Sequence, residues 1–310
     1  MTASKKGWDS RSVGTPWQHN FFYQLIRLGG RHLSYLFLYP VVLYYTLFRP
    51  DQRAKARYYL ERRFPGRRGP AALLDDYRLI LMLGRALVDR ALIGIRGPEA
   101  LHTRFPEEAR LSRLAAENRG LILLTSHVGC WQAAMVYLAR LGRPVHMLME
   151  RNEGDIDRHY FEHQRRQCPY RIIEPSSFLG GSIEMVAALK RGEIVAIMGD
   201  RLGSHKERSL NIDFLGAPAP FPVAAWKLAA ATGAPVAILF PVKTGPDSYI
   251  IELAEIIEVP PEAGRPLARL QPYLARYVAV LENLCRRHPF QFFNFYDLWK
   301  SPEDHLTSDT

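Results

Sequence analysis

The sequence of 310 residues contains only three cysteines, and its 31 acidic residues are outnumbered by 41 lysines and arginines. An odd number of widely spaced cysteines does not suggest a disulfide scaffold and is typical of a reducing compartment. The excess of positive charge favours an anionic partner, such as a membrane surface, an acidic carrier protein or a nucleic acid. No P-loop, zinc-finger spacing or aromatic RNA-binding motif accompanies this charge, so the sequence predicts no nucleic acid partner.

The amino-terminal part has no apolar run of the length, about 20 residues, that a membrane-spanning helix needs. Residues 1–18 are polar and predict a frayed lead-in, and residues 33–48 then form a tyrosine-rich segment of 16 uncharged residues that Pro40 interrupts. Residues 49–68 follow with eight basic and two acidic side chains. An apolar segment followed by a basic one predicts association with an anionic membrane leaflet. A core helix followed by a solvated charged helix is the alternative.

The remainder of the chain alternates short apolar runs with amphipathic stretches, which predicts an α/β fold. The predicted helices cover residues 73–92, 107–118, 155–167, 182–190, 221–232 and 266–287. The predicted strands cover residues 120–125, 145–149, 170–173, 193–198, 236–240 and 249–257. Residues 199–222 are predicted to form one long loop, and loops of that length inside a domain are usually functional.

His127 directly follows the apolar run 120–125, at the carboxyl end of a predicted strand, where open α/β sheets usually bind ligands. Gln132 falls in the first turn of the helix that follows, close enough for its amide to reach the imidazole. The alternative for His127 is a hydrogen-bonded structural residue. Cys130 offers a second mechanism, with a cysteine nucleophile and His127 as its base, although packing beside Trp131 explains this cysteine equally simply.

Two further predicted strands end in charged residues. Arg151 follows the strand 145–149, and Asp200 and Arg201 follow the strand 193–198. The alternative for Arg151 is a surface ion pair with a neighbouring acid, which contributes little stability. The alternative for Asp200 is a carboxylate that caps a turn.

Two motifs are assigned no chemistry. Residues 159–163 match the His-x-x-Glu-His metal pattern, but the spacing singles out no third ligand, so the sequence predicts no metal site. Residues 180–182, Gly-Gly-Ser, fit an anion-binding helix start and an ordinary helix N-cap equally well.

The segment 127–132, His-Val-Gly-Cys-Trp-Gln, resembles the motif of the lysophospholipid acyltransferase superfamily, in which a histidine precedes an acid by five positions. The lipid A late acyltransferases of that superfamily carry a His-Phe-Gly-Asn-Trp-Glu-like string, so Gln132 stands where the family has an acid. Later segments resemble the same family in order: Arg151 in a Tyr-Arg-Pro-like string, residues 199–201 in a Gly-Asp-Gln-like turn with Arg201 for glutamine, residues 214–216 in a Phe-Phe-Gly-like string, residues 233–235 in a Thr-Gly-Ala-Pro-like strand start, and residues 288–300 in a His-Pro-x-Gln-Trp-x-Trp-like closing segment.

The resemblance implies an α/β fold with a mixed central sheet flanked by helices and preceded by an apolar membrane-associating helix. Residues 1–70 would form the tail and the membrane segment, and residues 71–310 the acyltransferase domain. The implied reaction moves a fatty acyl chain from an acyl-carrier protein or CoA thioester to a hydroxyl or amine of a lipid acceptor. It needs no metal or cofactor, and the implied location is the cytoplasmic face of a bacterial inner membrane.

In this reaction His127 would be the general base, and Gln132 would hold its tautomer. Arg151 or N–H groups near Gly129 would serve the oxyanion. The predicted substrate-binding residues are Arg151, Asp200, Arg201, Gly129, Phe214 and Gly216. Because an amide cannot stabilise an imidazolium as a carboxylate does, a non-catalytic relative that binds acyl chains or partners is the alternative function.

Overall fold

A central sheet and the helices on its two faces make up most of the computed structural model, which describes residues 16–149, 170–175, 178–202 and 207–300. The helices are α1 (Pro16–Phe48), α2 (Pro50–Arg63), α3 (Gly69–Arg96), α4 (Glu108–Ala116), α5 (Met135–Arg140), α6 (Ser182–Lys190), α7 (Ala224–Thr232) and α8 (Gln271–Arg287). The strands are β1 (His102–Arg104), β2 (Leu121–Thr125), β3 (Val145–Leu148), β4 (Tyr170–Ile173), β5 (Ile194–Met198), β6 (Ser209–Phe214), β7 (Ala217–Pro222), β8 (Val236–Lys243) and β9 (Ser248–Ile257).

Within the described residues, seven of these strands form one sheet in the order β1-β9-β8-β2-β5-β3-β4. Strands β8, β2, β5, β3 and β4 run parallel to one another, whereas β9 is antiparallel to β8 and β1 is parallel to β9. The central strands are continuous apolar runs because helices cover both faces of the sheet. The prediction of a mixed central sheet flanked by helices is therefore confirmed.

Alternate residues of β2 show how the core divides into two layers. Ile122 and Leu124 face the larger layer, which contains side chains of α1, α2, α3, α6, α7 and α8. Leu121 and Leu123 face the smaller layer, which contains side chains of α4 and α5. This division follows from the two-residue period of a strand, which sends successive side chains to opposite faces.

Helix α1 differs from its prediction in two ways. It begins at Pro16, inside the predicted lead-in, and it continues through Pro40, so the predicted interruption at Pro40 is wrong. The kink lies instead at Gly30, which has φ 62° and ψ −153°. The Arg96 guanidinium donates to the Ile26 carbonyl oxygen at 2.9 Å and so caps the segment that precedes the kink.

Helix α1 packs one face on the protein and leaves an apolar face exposed. Tyr35, Leu38 and Val42 are buried. The exposed side chains on the other side, here called the N-terminal apolar face, are Leu36, Phe37, Leu43, Tyr44, Leu47 and Phe48. None of the helices in the described part of the chain has the length and apolarity to cross a bilayer. The membrane-associating role expected of an apolar helix in this region stays a prediction.

The predicted loop 199–222 contains a hairpin of β6 and β7, so the loop prediction is wrong for this part. The prolines of β7 obscured the strand because proline lacks a backbone N–H. They stand at alternate positions, 218, 220 and 222, opposite Asp213, Asn211 and Ser209. In an antiparallel pair, only every second residue of a strand makes hydrogen bonds to its partner. Prolines at the intervening positions therefore leave all the hydrogen-bond donors of the ladder in place.

Candidate active site

His127 and Asp200 meet because their strands are neighbours in register. Strands β2 and β5 are parallel, with Thr125 opposite Met198 at their carboxyl ends. Each polar residue follows its strand end by two positions, and the Gly199 N–H donates to the Thr125 carbonyl oxygen at 2.9 Å. The pairing of β2 with β5 thus brings together two side chains that are 73 residues apart in sequence.

The Asp200 carboxylate holds both the ring and the backbone of His127. Each carboxylate oxygen lies 3.0 Å from Nδ1 of the imidazole. Oδ1 also accepts a hydrogen bond from the His127 backbone N–H at 3.2 Å. An ionised carboxylate at Nδ1 selects the tautomer with its proton there, which leaves the basic lone pair on Nε2.

His127 and Asp200 differ in how far their side chains are buried. The Asp200 side chain is 1% exposed, whereas the His127 side chain is 27% exposed. Burial alone would raise the pKa of Asp200, but the charge and hydrogen bonds of His127, with the charge of Arg201, bring it below its usual value. Asp200 is therefore ionised at neutral pH and can stabilise a positive charge on the imidazole.

A match to a known protein family indicates which activity this site serves. The family model described as bacterial lipid A biosynthesis acyltransferase matches residues 4–301. The chain belongs to this family. Membership confirms the resemblance predicted from the sequence and indicates an acyltransferase that acts on lipid acceptors. No curated protein matches the sequence.

In this acyltransferase, the Gln132 side chain contacts Cys130. Its side-chain oxygen accepts a hydrogen bond from the Cys130 thiol at 3.3 Å, and both residues are fully buried. Burial raises the pKa of Cys130 to about 12, so the thiol stays protonated and is a poor nucleophile. The carboxylate at Nδ1 of His127 is Asp200, a residue that the sequence singled out only as substrate-binding.

Gly129 has a steric role in the loop that carries His127. Its φ is +56°, and a Cβ atom on this residue would lie 1.9 Å from the carbonyl oxygen of Pro241 in β8. Its N–H donates to the Gln291 carbonyl oxygen at 3.1 Å, while the Phe293 N–H donates to the His127 carbonyl oxygen at 2.8 Å. The loop is therefore held between β8 and the carboxyl-terminal segment, and the Gly129 N–H is already engaged.

The other predicted binding residues lie in different surroundings. Phe214 is fully buried and stacks on Trp299 with a centroid distance of 5.8 Å. Gly216, with φ +83°, belongs to the two-residue turn between β6 and β7. Arg201 lies next to Asp200. Arg151 and the histidines of residues 159–163 lie outside the described residues. The substrate-binding roles of these residues stay predictions.

Two features of the site were missed from the sequence. The Ser126 and Tyr277 hydroxyl oxygens lie 2.7 Å apart, which ties the His127 loop to α8. The Gln291 side chain bonds the backbone N–H and C=O of Lys243, both at 2.8 Å, and so joins the carboxyl-terminal segment to β8. The only signal for Gln291 was its place in the family-like closing segment.

Proposed function

We propose that this protein transfers a fatty acyl group from an acyl-carrier protein or CoA thioester to a hydroxyl or amine of a lipid acceptor, with His127 as general base. The observation that carries the proposal is the contact of the buried Asp200 carboxylate with Nδ1 of the partly exposed His127. The pair lies at the carboxyl ends of two central parallel strands, the usual place for ligands in such sheets.

In the proposed reaction, Nε2 of His127 takes the proton of the acceptor as its oxygen or nitrogen attacks the thioester carbonyl carbon. Asp200 stabilises the resulting imidazolium. The tetrahedral intermediate then expels the thiolate, which receives that proton from the imidazolium and leaves as a thiol. The Gly129 N–H is engaged by Gln291, so Arg151 and the other N–H groups near Gly129 are the proposed donors for the oxyanion.

The alternative of a non-catalytic relative rested on Gln132 standing in place of the family acid. The position of Asp200 weakens that reason, because a carboxylate already contacts the imidazole. The same contact supports Asp200, in place of Gln132, as the residue that selects the tautomer. The reaction as proposed uses no metal and no cofactor beyond the acyl thioester.

The test is thioester consumption by the wild-type protein and by His127→Ala, using acyl-carrier-protein and CoA donors with hydroxyl and amine lipid acceptors. We expect the wild type to turn over and the variant to lose activity with little change in melting temperature. The control is His102→Ala, because that side chain is 80% exposed. Turnover retained in His127→Ala would remove this residue from the mechanism.

The location proposed for the enzyme is the cytoplasmic face of an inner membrane. The N-terminal apolar face supports this because its side chains recur at helical spacing and form one exposed stripe, as in helices that lie in a membrane interface. Helix α2 and the turn after it add exposed positive charge, although Arg57 of α2 pairs with Asp76 and Arg67 of the turn pairs with Asp75.

Lysine substitutions in the stripe test this location without removing the buried face of α1. We expect Leu36→Lys, Leu43→Lys and Leu47→Lys together to release the protein from vesicles that contain anionic lipid. The matched control is Ile183→Lys, which changes an exposed apolar residue on α6. Equal sedimentation of the triple variant and the wild type with vesicles would contradict the proposed location.

A further inference from the structure

A closed cycle of contacts surrounds His127, and Arg201 completes it. One side of the cycle is the carboxylate of Asp200 at Nδ1 of His127. The other side is the backbone of Phe293, whose N–H donates to the His127 carbonyl oxygen at 2.8 Å. Arg201 joins the two sides, with Nε at 3.7 Å from Asp200 Oδ2 and Nη2 donating to the Phe293 carbonyl oxygen.

The surroundings of Arg201 fit an internal connection better than a surface contact. Its side chain is only 10% exposed. The guanidinium carbon lies 5.4 Å from the centre of the Tyr296 ring, within the range of a cation–π contact. The planar guanidinium donates a hydrogen bond to the Phe293 carbonyl oxygen through Nη2, and at 3.7 Å its Nε makes an ion pair with Asp200 without a hydrogen bond. A lysine ammonium on a flexible stem would hold these two contacts less rigidly.

The charge of Arg201 acts on the same pair. Among the described residues, the titratable groups that face Asp200 or Arg201 are His127, Tyr277 and Cys285 of α8, and Tyr296, and Asp297 in turn faces Tyr296. Burial raises the pKa of Tyr277, Cys285 and Tyr296, so these three groups are neutral at physiological pH. A fixed cation beside Asp200 makes a second positive charge on the imidazole less favourable.

We propose that Arg201 is a positioning residue, which fixes Asp200 on one side of His127 and the Phe293 backbone on the other. This inference rests on the proposed function, because it gives Arg201 a role in presenting the base. It replaces the role in substrate binding that the sequence suggested.

The first test follows the titration of the His127 ring by NMR, with the signal identified by its loss in His127→Ala. In Arg201→Gln we expect the midpoint to rise by about one pH unit, because removal of a nearby cation favours the imidazolium. In Arg201→Lys, which keeps the charge, we expect a smaller shift. The control is Arg191→Gln, an exposed arginine that precedes β5 and pairs with Glu193. An unchanged midpoint in a folded Arg201→Gln protein overturns the proposal.

The second test is steady-state kinetics with the thioester assay. A positioning role predicts that Arg201→Gln lowers kcat by about tenfold or more with less than a threefold change in KM, and that the acid limb of the rate profile moves to higher pH. A raised KM with unchanged kcat would show a substrate contact and overturn the proposal.

These experiments also decide the case in which Arg201→Gln does not fold and the case in which the wild type has no activity. If Arg201→Gln does not fold, Arg201→Lys decides: a lower kcat with little change in the midpoint supports the proposal, and an unchanged kcat overturns it. The NMR titration needs no turnover, so a wild type without activity would reject the proposed function while the shift in Arg201→Gln still tested the role of Arg201.

Discussion

Asp200 and Asp89 are both buried carboxylates, and both contact a cationic or protonatable side chain. Asp200 contacts His127, whereas Asp89 accepts hydrogen bonds from Lys243 Nζ at 2.6 Å, the Tyr249 hydroxyl at 2.6 Å and the Tyr35 hydroxyl at 2.7 Å. The Lys243 side chain is 4% exposed and that of His127 is 27% exposed.

The exposure and chemistry of the partner decide the role of each carboxylate. Lys243 is enclosed, and Asp89 holds it together with side chains of α1 and β9, so this cluster connects helices to the sheet. His127 reaches the surface and carries an imidazole, the side chain suited to general acid–base chemistry, so its carboxylate can serve a proton transfer. A buried carboxylate is therefore not by itself a sign of catalysis.

The largest effect is expected from Asp200→Asn. In serine proteases the analogous change lowers kcat by about 10⁴ because the imidazole adopts the wrong tautomer. We expect a loss of about 10³–10⁴ here, measured as kcat in the thioester assay, with a change in melting temperature of only a few degrees. A loss of less than tenfold would place Asp200 with Asp89 among the structural carboxylates.

At Asp89 we expect the substitution to lower stability and not turnover. Asp89→Ala leaves the Lys243 charge buried without its anion, which should lower the free energy of unfolding by about 3–5 kcal/mol. Urea unfolding measures the change, and the double variant Asp89→Leu, Lys243→Met should recover much of it. If Asp89→Ala abolished turnover while the unfolding midpoint stayed the same, the contrast between the carboxylates would fail.

Gly129→Ala tests whether the loop beneath His127 must approach β8. The new Cβ would lie 1.9 Å from the Pro241 carbonyl oxygen in a backbone with positive φ. We expect a loss of about 1–3 kcal/mol of stability together with a lower kcat. Gly216→Ala is the matched control, because its φ is also positive but no atom lies within 4 Å of the added Cβ. Equal effects on kcat at both positions would argue against a specific need for this approach.

Gln132→Ala tests whether Gln132 or Asp200 orients His127. Loss of the contact with the Cys130 thiol should cost about 1 kcal/mol of stability. We expect kcat to fall by less than tenfold, measured beside Asp200→Asn under the same conditions. A fall as large as that of Asp200→Asn would support the role for Gln132 that the sequence predicted.

The smallest effect concerns the pH dependence of stability. The pKa of Asp200 in the folded protein lies below its usual value, so its ionised form stabilises the fold above the unfolded-state pKa of about 3.9. This contribution is lost as pH falls through the lower, folded-state pKa. We therefore expect the stability difference between wild type and Asp200→Asn to be constant near neutral pH and to shrink below about pH 4 in urea unfolding. Asp213→Asn, at an exposed position of β6, is the control.

Local pattern in the sequence predicted much of the sheet. Continuous apolar runs marked β2, β5 and β8, because strands covered on both faces need apolar residues at every position. The same runs placed His127 and Asp200 at strand ends. The hairpin of β6 and β7 could not be predicted in this way. Its prolines are compatible with a strand only because they stand at alternate positions of β7 in the register that pairs it with β6.

What only the tertiary structure decided is which strand ends meet. The sequence by itself determined that His127 and Asp200 each follow an apolar strand, and it favoured Gln132 as the partner of His127 because Gln132 is close along the chain. The pairing of β2 with β5 places Asp200 at the imidazole instead, and the meeting of α1, α3, β8 and β9 assembles the cluster around Asp89. Periodicity records which side of an element is buried, whereas contacts between distant residues depend on how all the buried faces pack together.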